Sequence, residues 1–178
     1  NSSSGIQNGS GVTDIDGNTY GSVIIGEQEW VSSNLRVSKY NDGTTLPQVT
    51  DNTAWAALNS AAWSWYSNDS VSHDSLYGKL YNYFSVADTN QKNICPLGWK
   101  VPSSSDWTEL ENYIGNNNYL AYEGLALKSN SEWFNDSGTD YFGFNGLPGG
   151  YRGNDGSFFF KSNRGTWWSS ASSKISYR

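Results

Sequence analysis

The 178-residue chain contains no methionine, one cysteine (Cys95) and one histidine (His73). A single cysteine cannot close a disulfide within the chain, and a Cys/His zinc site needs more ligands than these two residues supply. His73 lies in a Ser- and Asp-rich segment, where we expect a solvated surface side chain. The sequence therefore predicts no catalytic residue, no metal site and no cofactor.

Charge is also scarce. Charged residues make up 16% of the chain, its net charge is −6, and its 11 Lys and Arg residues are scattered. Nucleic-acid binding needs clustered cations, so this composition argues against it. No apolar run approaches the roughly 20 residues that span a bilayer, so the chain is not predicted to cross a membrane.

Aromatic residues and glycine are abundant instead. The chain has 9 Trp, 12 Tyr and 7 Phe residues, together with 19 Gly residues. Large rings combined with many glycines favour a compact fold of short strands and ordered loops over a helical bundle. Most of the Trp residues are expected in the core. The Ser-, Asn- and Trp-rich composition is typical of an extracellular protein.

The composition of residues 1–11, which is polar and rich in Gly, Ser and Asn, predicts a flexible linker. Residues 12–178 are predicted to form one domain. Alternating residues predict a strand meander over 12–31. The clearest helix is Ser104–Ile114, with a serine-rich entry and one apolar face. Weaker patterns predict a short helix within 50–65, a strand or helix over 77–86, a second helix within 119–128, and short strands after residue 142.

One loop superficially resembles a calcium site. Asp14, Asp16 and Asn18 supply oxygen atoms at alternate positions. An EF-hand needs a carboxylate at its twelfth position, and that position here is Ile25. A hairpin turn with Asp16-Gly17 at its corner is the favoured interpretation.

Several blocks, taken together, resemble the Fibrobacter succinogenes major paralogous domain family. They are DIDGNTYGSVIIGEQEW (14–30), NLRVSKYNDGTTLPQVTDNTAW (34–55), YGKLYN (77–82), CPLGWKVPSSSDWTELENYIG (95–115), GFNGLPGGYR (143–152), DGSF (155–158) and GTWWSSA (165–171). Lys100 stands where this family usually has His. The resemblance covers essentially everything from Val12 onward.

The resemblance implies an α+β domain with the C-type lectin-like fold of the branch that includes formylglycine-generating enzymes. It implies a twisted antiparallel sheet, two short helices and long ordered loops, displayed on a cell or virion surface. Formylglycine-generating enzymes need a pair of reactive cysteines, which this chain lacks. The family usually continues into a further strand that carries a cysteine, and the resemblance implies that Cys95 pairs with that residue in the intact protein.

The ligand face is expected in the C-terminal strands and loops. Tyr, Ser, Asn and Gly are common there, and these residue types can form varied contacts with a ligand. The predicted ligand-binding residues are Tyr151, Arg152, Asn154, Asp155, Ser157, Lys161, Asn163, Arg164, Ser172, Ser173, Lys174, Ser176, Tyr177 and Arg178. Arg152→Ala and Tyr177→Ala are expected to weaken binding and to leave thermal stability nearly unchanged.

Three functions fit this pattern. The first is a fixed adhesin that recognises a glycan or protein on another surface. The second is a receptor whose C-terminal codons are diversified by a retroelement through adenine-directed mutation. The third is a purely structural module of a large surface protein. The sequence alone leaves the ligand and the oligomeric state open.

Overall fold

The computed structural model describes residues 6–87 and 92–170, and the backbone of residues 174–177. These residues form an α+β domain of short antiparallel strand pairs, short helices and long loops. The strands are β1 Gln7–Asn8, β2 Val12–Thr13, β3 Thr19–Tyr20, β4 Ser22–Ile25, β5 Gln28–Val31, β6 Trp63–Ser64, β7 Leu80–Tyr81, β8 Tyr151–Arg152, β9 Phe158–Phe159, β10 Gly165–Trp168 and β11 Lys174–Tyr177. The α-helices are α1 Asn52–Ala56, α2 Ser70–Tyr77, α3 Tyr83–Val86, α4 Ser104–Ile114 and α5 Glu123–Leu127.

The predicted N-terminal meander is present as two hairpins, β2–β3 and β4–β5. Strand β1 adds to β4 and completes a three-stranded antiparallel sheet in the order β1-β4-β5. Because β1 consists of Gln7 and Asn8, this sheet begins inside the segment for which a linker is predicted. The turn between β2 and β3 is held by Asp14, whose carboxylate accepts hydrogen bonds from the backbone of Asp16 and Asn18.

Helix α4 has the bounds that its sequence predicts. Ser103 caps it, and a reciprocal capping box joins Ser103 to Asp106. Its apolar face buries Trp107, Leu110 and Ile114. Within the described residues, no helix is long and apolar enough to cross a membrane.

Two clusters of buried side chains form the core. The larger packs α4 and α5 against β4 and the loop that carries Phe142 and Phe144. The smaller gathers Val37, Leu46 and Trp63 near β6. Trp107, Trp55 and Trp133 are also buried, and the other Trp residues are half-buried, so aromatic rings supply much of the packing, as expected from the composition.

Helices α1, α3 and α5 also lie within the predicted segments, and two of them begin at a capping side chain. Asp51 caps α1 by accepting from the backbone of Ala54. The ambiguous segment 77–86 contains both β7 and α3, separated by Asn82, whose side chain caps α3. The helix predicted within 119–128 is shortened to α5.

The prediction of a solvated His73 is wrong. His73 lies in α2, is only 5% exposed, and packs between the rings of Tyr66 and Tyr77. Its Nδ1 lies 3.0 Å from the carbonyl oxygen of Asp69. This Ser/Asp-rich segment is a helix in which Asp69 is the N-cap and His73 and Tyr77 share the buried face. Its polar composition gave no indication of that buried face.

Candidate functional site

The β8–β9 hairpin organises the C-terminal surface. Tyr151 is paired with Phe159, and Arg152 with Phe158. Side chains alternate between the two faces of a strand, so these pairs lie on opposite faces of the hairpin. Gly156, at the turn, has a φ of +84°, and a Cβ there would lie 2.6 Å from the backbone of Asn52. A glycine is therefore required where the turn docks on α1.

On the inner face, Arg152 joins the hairpin to a segment 100 or more residues earlier. Its Nη1 donates to the carbonyl of Val49 at 2.6 Å, and its Nη2 donates to the carbonyl of Thr50 and to Oδ1 of Asn52, both at 3.0 Å. Its Nε donates to the carbonyl of Gly156 at 2.8 Å. This guanidinium thus fixes the hairpin to the loop before α1.

The Arg152 guanidinium also lies between two rings. Its Cζ is 4.2 Å from the ring centroid of Trp55 and 4.7 Å from that of Phe158. The indole of Trp55 in turn donates to the carbonyl of Gly153 at 3.0 Å. Partial burial lowers the pKa of Arg152, while Asp51 opposes that effect. The side chain of Arg152 therefore acts as a structural clamp, which holds the hairpin to the scaffold. For this reason we expect Arg152→Ala to lower the stability, whereas the sequence alone led us to expect no change.

The outer face carries three neighbouring aromatic rings. Tyr151, Phe159 and Phe160 lie with ring centroids 5.5–6.2 Å apart and ring planes 34–36° apart. Phe159 is 36% exposed and Phe160 is 50% exposed. Phe160 has a φ of +59°, a left-handed conformation that a bulky residue rarely adopts. The turn that follows β9 therefore holds a large ring at the surface at a cost in backbone strain.

Two cations lie in the turn that follows β9, and one of them, Arg164, contacts these rings. The guanidinium of Arg164 lies 4.8 Å from the ring centroid of Phe160 and 5.9 Å from that of Tyr151. The ammonium of Lys161 lies 5.1 Å from the ring of Tyr77. Neither cation forms an ion pair with any described residue. We call the group Tyr151, Phe159, Phe160, Lys161 and Arg164 the aromatic–cationic surface.

The structure brings together some of the predicted ligand-binding residues. Asn154 and Asp155 are exposed at the hairpin turn, where Asp155 accepts from the backbone of Ser157. The amide of exposed Asn163 donates to the carbonyl of Lys161. Asn163 shares the turn after β9 with Phe160, Lys161 and Arg164, whereas Asn154 and Asp155 lie in the turn between β8 and β9.

The last predicted residues are only partly covered by the described residues. Lys174, Ser176 and Tyr177 lie in β11, whose backbone pairs with β10. Ser172, Ser173 and Arg178 lie outside the described residues. The site predicted over 151–178 is therefore described as far as residue 170, and beyond that only along the backbone of β11.

Sequence reasoning missed the exposed phenylalanines. Phe159 and Phe160 were absent from the predicted site, and so was Phe134, which is 71% exposed. The backbone of Phe134 donates to the carbonyl of Ser162, so Phe134 belongs to the same region. The available signal was the run of three phenylalanines, 158–160, because a strand with one buried face cannot bury all members of such a run.

A cleft of about 690 Å³ opens beside the hairpin. Residues Tyr151 to Asp155 line part of it, and its walls are mainly aromatic and apolar. Lining residues from other elements include Asn34, Lys79, Tyr83, Cys95, Trp99, Trp167 and Trp168.

Several polar groups of the cleft make internal hydrogen bonds or ion pairs. The ammonium of Lys79 donates to the carbonyl of Arg36 and to the carboxylate of Asp74. The indole of Trp168 donates to the carbonyl of Tyr81 at 2.9 Å. Burial raises the pKa of the Cys95 thiol to about 12. The cleft is thus largely apolar, and the buried hydroxyl of Thr166 in its wall has no hydrogen-bond partner among the described residues.

The loop that resembles a calcium site is a hairpin turn in the structure. Both carboxylate oxygens of Asp14 accept hydrogen bonds, including one from the Tyr20 hydroxyl at 2.6 Å. The carboxylate of Asp16 contacts Ser38 and Lys39. No group of three or more His, Cys, Asp or Glu residues that could hold a metal ion occurs within the described residues.

These features define an α+β domain with an exposed aromatic–cationic hairpin surface on a rigid aromatic scaffold. The family model of the Fibrobacter succinogenes major domain matches residues 23–177, which is most of the chain. The chain therefore belongs to this family. No curated protein and no solved structure is found to match it.

Proposed function

We propose that this chain is a non-enzymatic ligand-binding domain of the adhesin or receptor type, displayed on a cell or virion surface. In this proposal the aromatic–cationic surface makes the contact with the ligand, which is a glycan or protein on another surface. The observation that carries the proposal is that Phe159 and Phe160 are exposed, with Arg164 beside Phe160, at the end of a hairpin that Arg152 clamps to the scaffold.

The exposure of these rings supports the proposal. The rest of the domain buries its tryptophans fully or in part, whereas this hairpin leaves adjacent phenylalanines at the surface. Contiguous exposed apolar groups on a soluble domain mark interaction sites, and aromatic and arginine side chains dominate binding energy at interfaces. The clamp reduces the entropy lost on binding, because the hairpin is already ordered.

The environments of the chain's single His and Cys support a role without catalysis. His73 is buried between two tyrosine rings, and Cys95 holds its proton strongly because its thiol is buried. A general base must reach a substrate proton, and a nucleophilic cysteine needs a lowered pKa. Neither residue meets its requirement.

The fold proposed is C-type lectin-like. It is supported by the α+β character of the domain, by its short antiparallel pairs, and by the long loops that connect them. In the proposed fold the C-terminal strands and loops, residues 151–178 here, form the ligand face. An extracellular location is proposed from the aromatic-rich, charge-poor composition and the family resemblance.

A binding experiment with matched variants tests the function. The labelled domain is applied to glycan and protein arrays and to whole cells, as wild type and as Phe160→Asn and Tyr122→Asn. Asparagine tolerates the left-handed backbone at position 160, so that variant removes the ring without new strain. Tyr122 is 65% exposed and lies in a different loop, which makes it the matched control.

We expect Phe160→Asn to lose binding and Tyr122→Asn to retain it, with all three proteins melting at similar temperatures. Equal binding by all three would place the contact elsewhere. Absence of binding to every array and cell would favour the alternative that the chain is a purely structural module.

Diversification by a retroelement is proposed as a property of the same surface. Deep sequencing of the gene in its source population tests it. We expect substitutions at adenine-derived codons between Tyr151 and the C-terminus, with Trp167 and Trp168 unchanged. A uniform gene would contradict diversification and favour a fixed adhesin.

A further inference from the structure

The aromatic–cationic surface has a charge opposite to that of the whole protein. The chain carries a net charge of −6, yet residues 151–164 contain three cations (Arg152, Lys161, Arg164) and one carboxylate (Asp155). Arg152 is committed to the clamp, whereas Lys161 and Arg164 form no ion pair with a described residue. Arg164, beside the exposed ring of Phe160, is therefore the cation that an anionic ligand would meet, whereas Lys161 lies over Tyr77, whose hydroxyl donates to the carboxylate of Glu132.

The cation and the ring lie close enough for one small ligand group to meet both. The Arg164 guanidinium is 4.8 Å from the ring centroid of Phe160. Arginine can stack on an aromatic face and still offer its N–H fork to a carboxylate. The adjacent face of Phe159 or Phe160 can then accept the C–H face of a ring in the ligand.

We propose that the ligand contains a carboxylated sugar, a uronic or sialic acid, with its carboxylate on Arg164 and its ring on Phe160. This inference rests on the proposed function and names the ligand class of that surface. A carboxylated pyranose fits because its charge is attached directly to its ring, so both groups lie within a few ångströms of each other. An acidic peptide side chain separates its carboxylate from any ring by a flexible chain.

Polar groups in the two turns that flank β9 suit the remaining hydroxyls of such a sugar. Asn154 and Asn163 are exposed, and Ser157 lies half-buried beside the turn. Amide and hydroxyl groups both donate and accept, and so they match the mixed donor and acceptor character of sugar hydroxyls.

The test uses an array of oligosaccharides that contain uronic or sialic acids, each printed beside the same compound with its carboxylate methyl-esterified. The ester keeps the ring and removes the charge. Wild type is compared with Arg164→Gln, Phe160→Asn and the control Tyr122→Asn, and affinities for the best pair are measured by calorimetry. Circular dichroism checks that each variant is folded.

We expect wild type to bind the acid about 10- to 100-fold more tightly than the ester, the range for one charge-assisted hydrogen-bonded contact. Arg164→Gln should abolish that difference, so that acid and ester bind alike. Phe160→Asn should weaken both compounds, and Tyr122→Asn should change neither. Raising the salt concentration should weaken the acid more than the ester.

Equal binding of acid and ester by wild type would overturn the inference, and so would an acid-to-ester ratio that survives in Arg164→Gln. Binding of a neutral glycan or a protein that is lost in Phe160→Asn would overturn the ligand class while leaving the proposed function standing. Absence of any ligand sensitive to Phe160→Asn would overturn both.

Discussion

Replacing Arg152 by alanine is the perturbation that best tests the organisation of the site. The side chain donates four hydrogen bonds, and three of its acceptors lie in the 49–52 segment. It also contacts the rings of Trp55 and Phe158 on either side. Its removal leaves the carbonyls of Val49 and Gly156 without this donor, so we expect a loss of stability.

The expected magnitude follows from these contacts. A hydrogen bond to a charged group contributes about 1.5–3 kcal/mol when buried, and exposed ionic contacts contribute far less. Because Arg152 is only partly buried, most of its four hydrogen bonds are expected to contribute less than this range to the free energy of unfolding. The contacts with the two rings add about 0.5–1 kcal/mol. We expect a loss of about 2–3 kcal/mol in the free energy of unfolding. For a domain of this size that lowers the melting temperature by about 4–12 °C.

The assay is thermal and urea unfolding followed by circular dichroism and tryptophan fluorescence. Arg164→Ala is the matched control, because it removes the same residue type from the same region but breaks no side-chain hydrogen bond with a described residue. We expect Arg164→Ala to change the stability by less than about 1 kcal/mol. Equal stability of the two variants would refute the distinction between clamp and contact surface.

Three further predictions concern other parts of the molecule. Ser103→Ala removes the capping box of α4 and should cost about 1 kcal/mol in denaturant unfolding. Cys95 should react with iodoacetamide at pH 8 far more slowly in the native chain than in urea, because burial raises its pKa to about 12. Burial raises the pKa of Asp16, but hydrogen bonds from Ser38 outweigh it and hold the pKa below 3.8. Asp16 therefore stabilises the fold above that value and loses the effect as pH falls through the folded pKa, so Asp16→Asn should destabilise at pH 7, and the destabilisation should shrink as the pH falls below 3.8.

The elements that could be predicted from the sequence are those with local signals. The serine cap, the acidic N3 residue and the apolar spacing of α4 all lie within Ser103–Ile114, and its bounds were correct. The N-terminal hairpins were predictable because Asp-Gly and Gly-Glu punctuate alternating residues. In each case the determining interactions span only a few residues.

The elements that could not be predicted depend on distant partners. His73 is buried because Tyr66 and Tyr77 enclose it, and no window around a Ser/Asp-rich segment reveals that packing. Arg152 was assigned to ligand contact because it is a polar residue of the C-terminal segment, and its acceptors, which lie about 100 residues earlier in the chain, leave no local signal. A polar residue in a loop looks the same in sequence whether its partner is a ligand or a remote carbonyl.

The two faces of the hairpin have different roles, attachment to the scaffold and proposed contact with a ligand, because side chains alternate along its two short strands. One cross-strand pair, Arg152 with Phe158, faces the scaffold, and the other, Tyr151 with Phe159, faces outward. Because each pair belongs to one face, a substitution in the outward pair can change contacts with a ligand without breaking the clamp. The same geometry would let the outer positions vary among related sequences while Arg152 and Gly156 stay fixed, since those two residues hold the hairpin to α1.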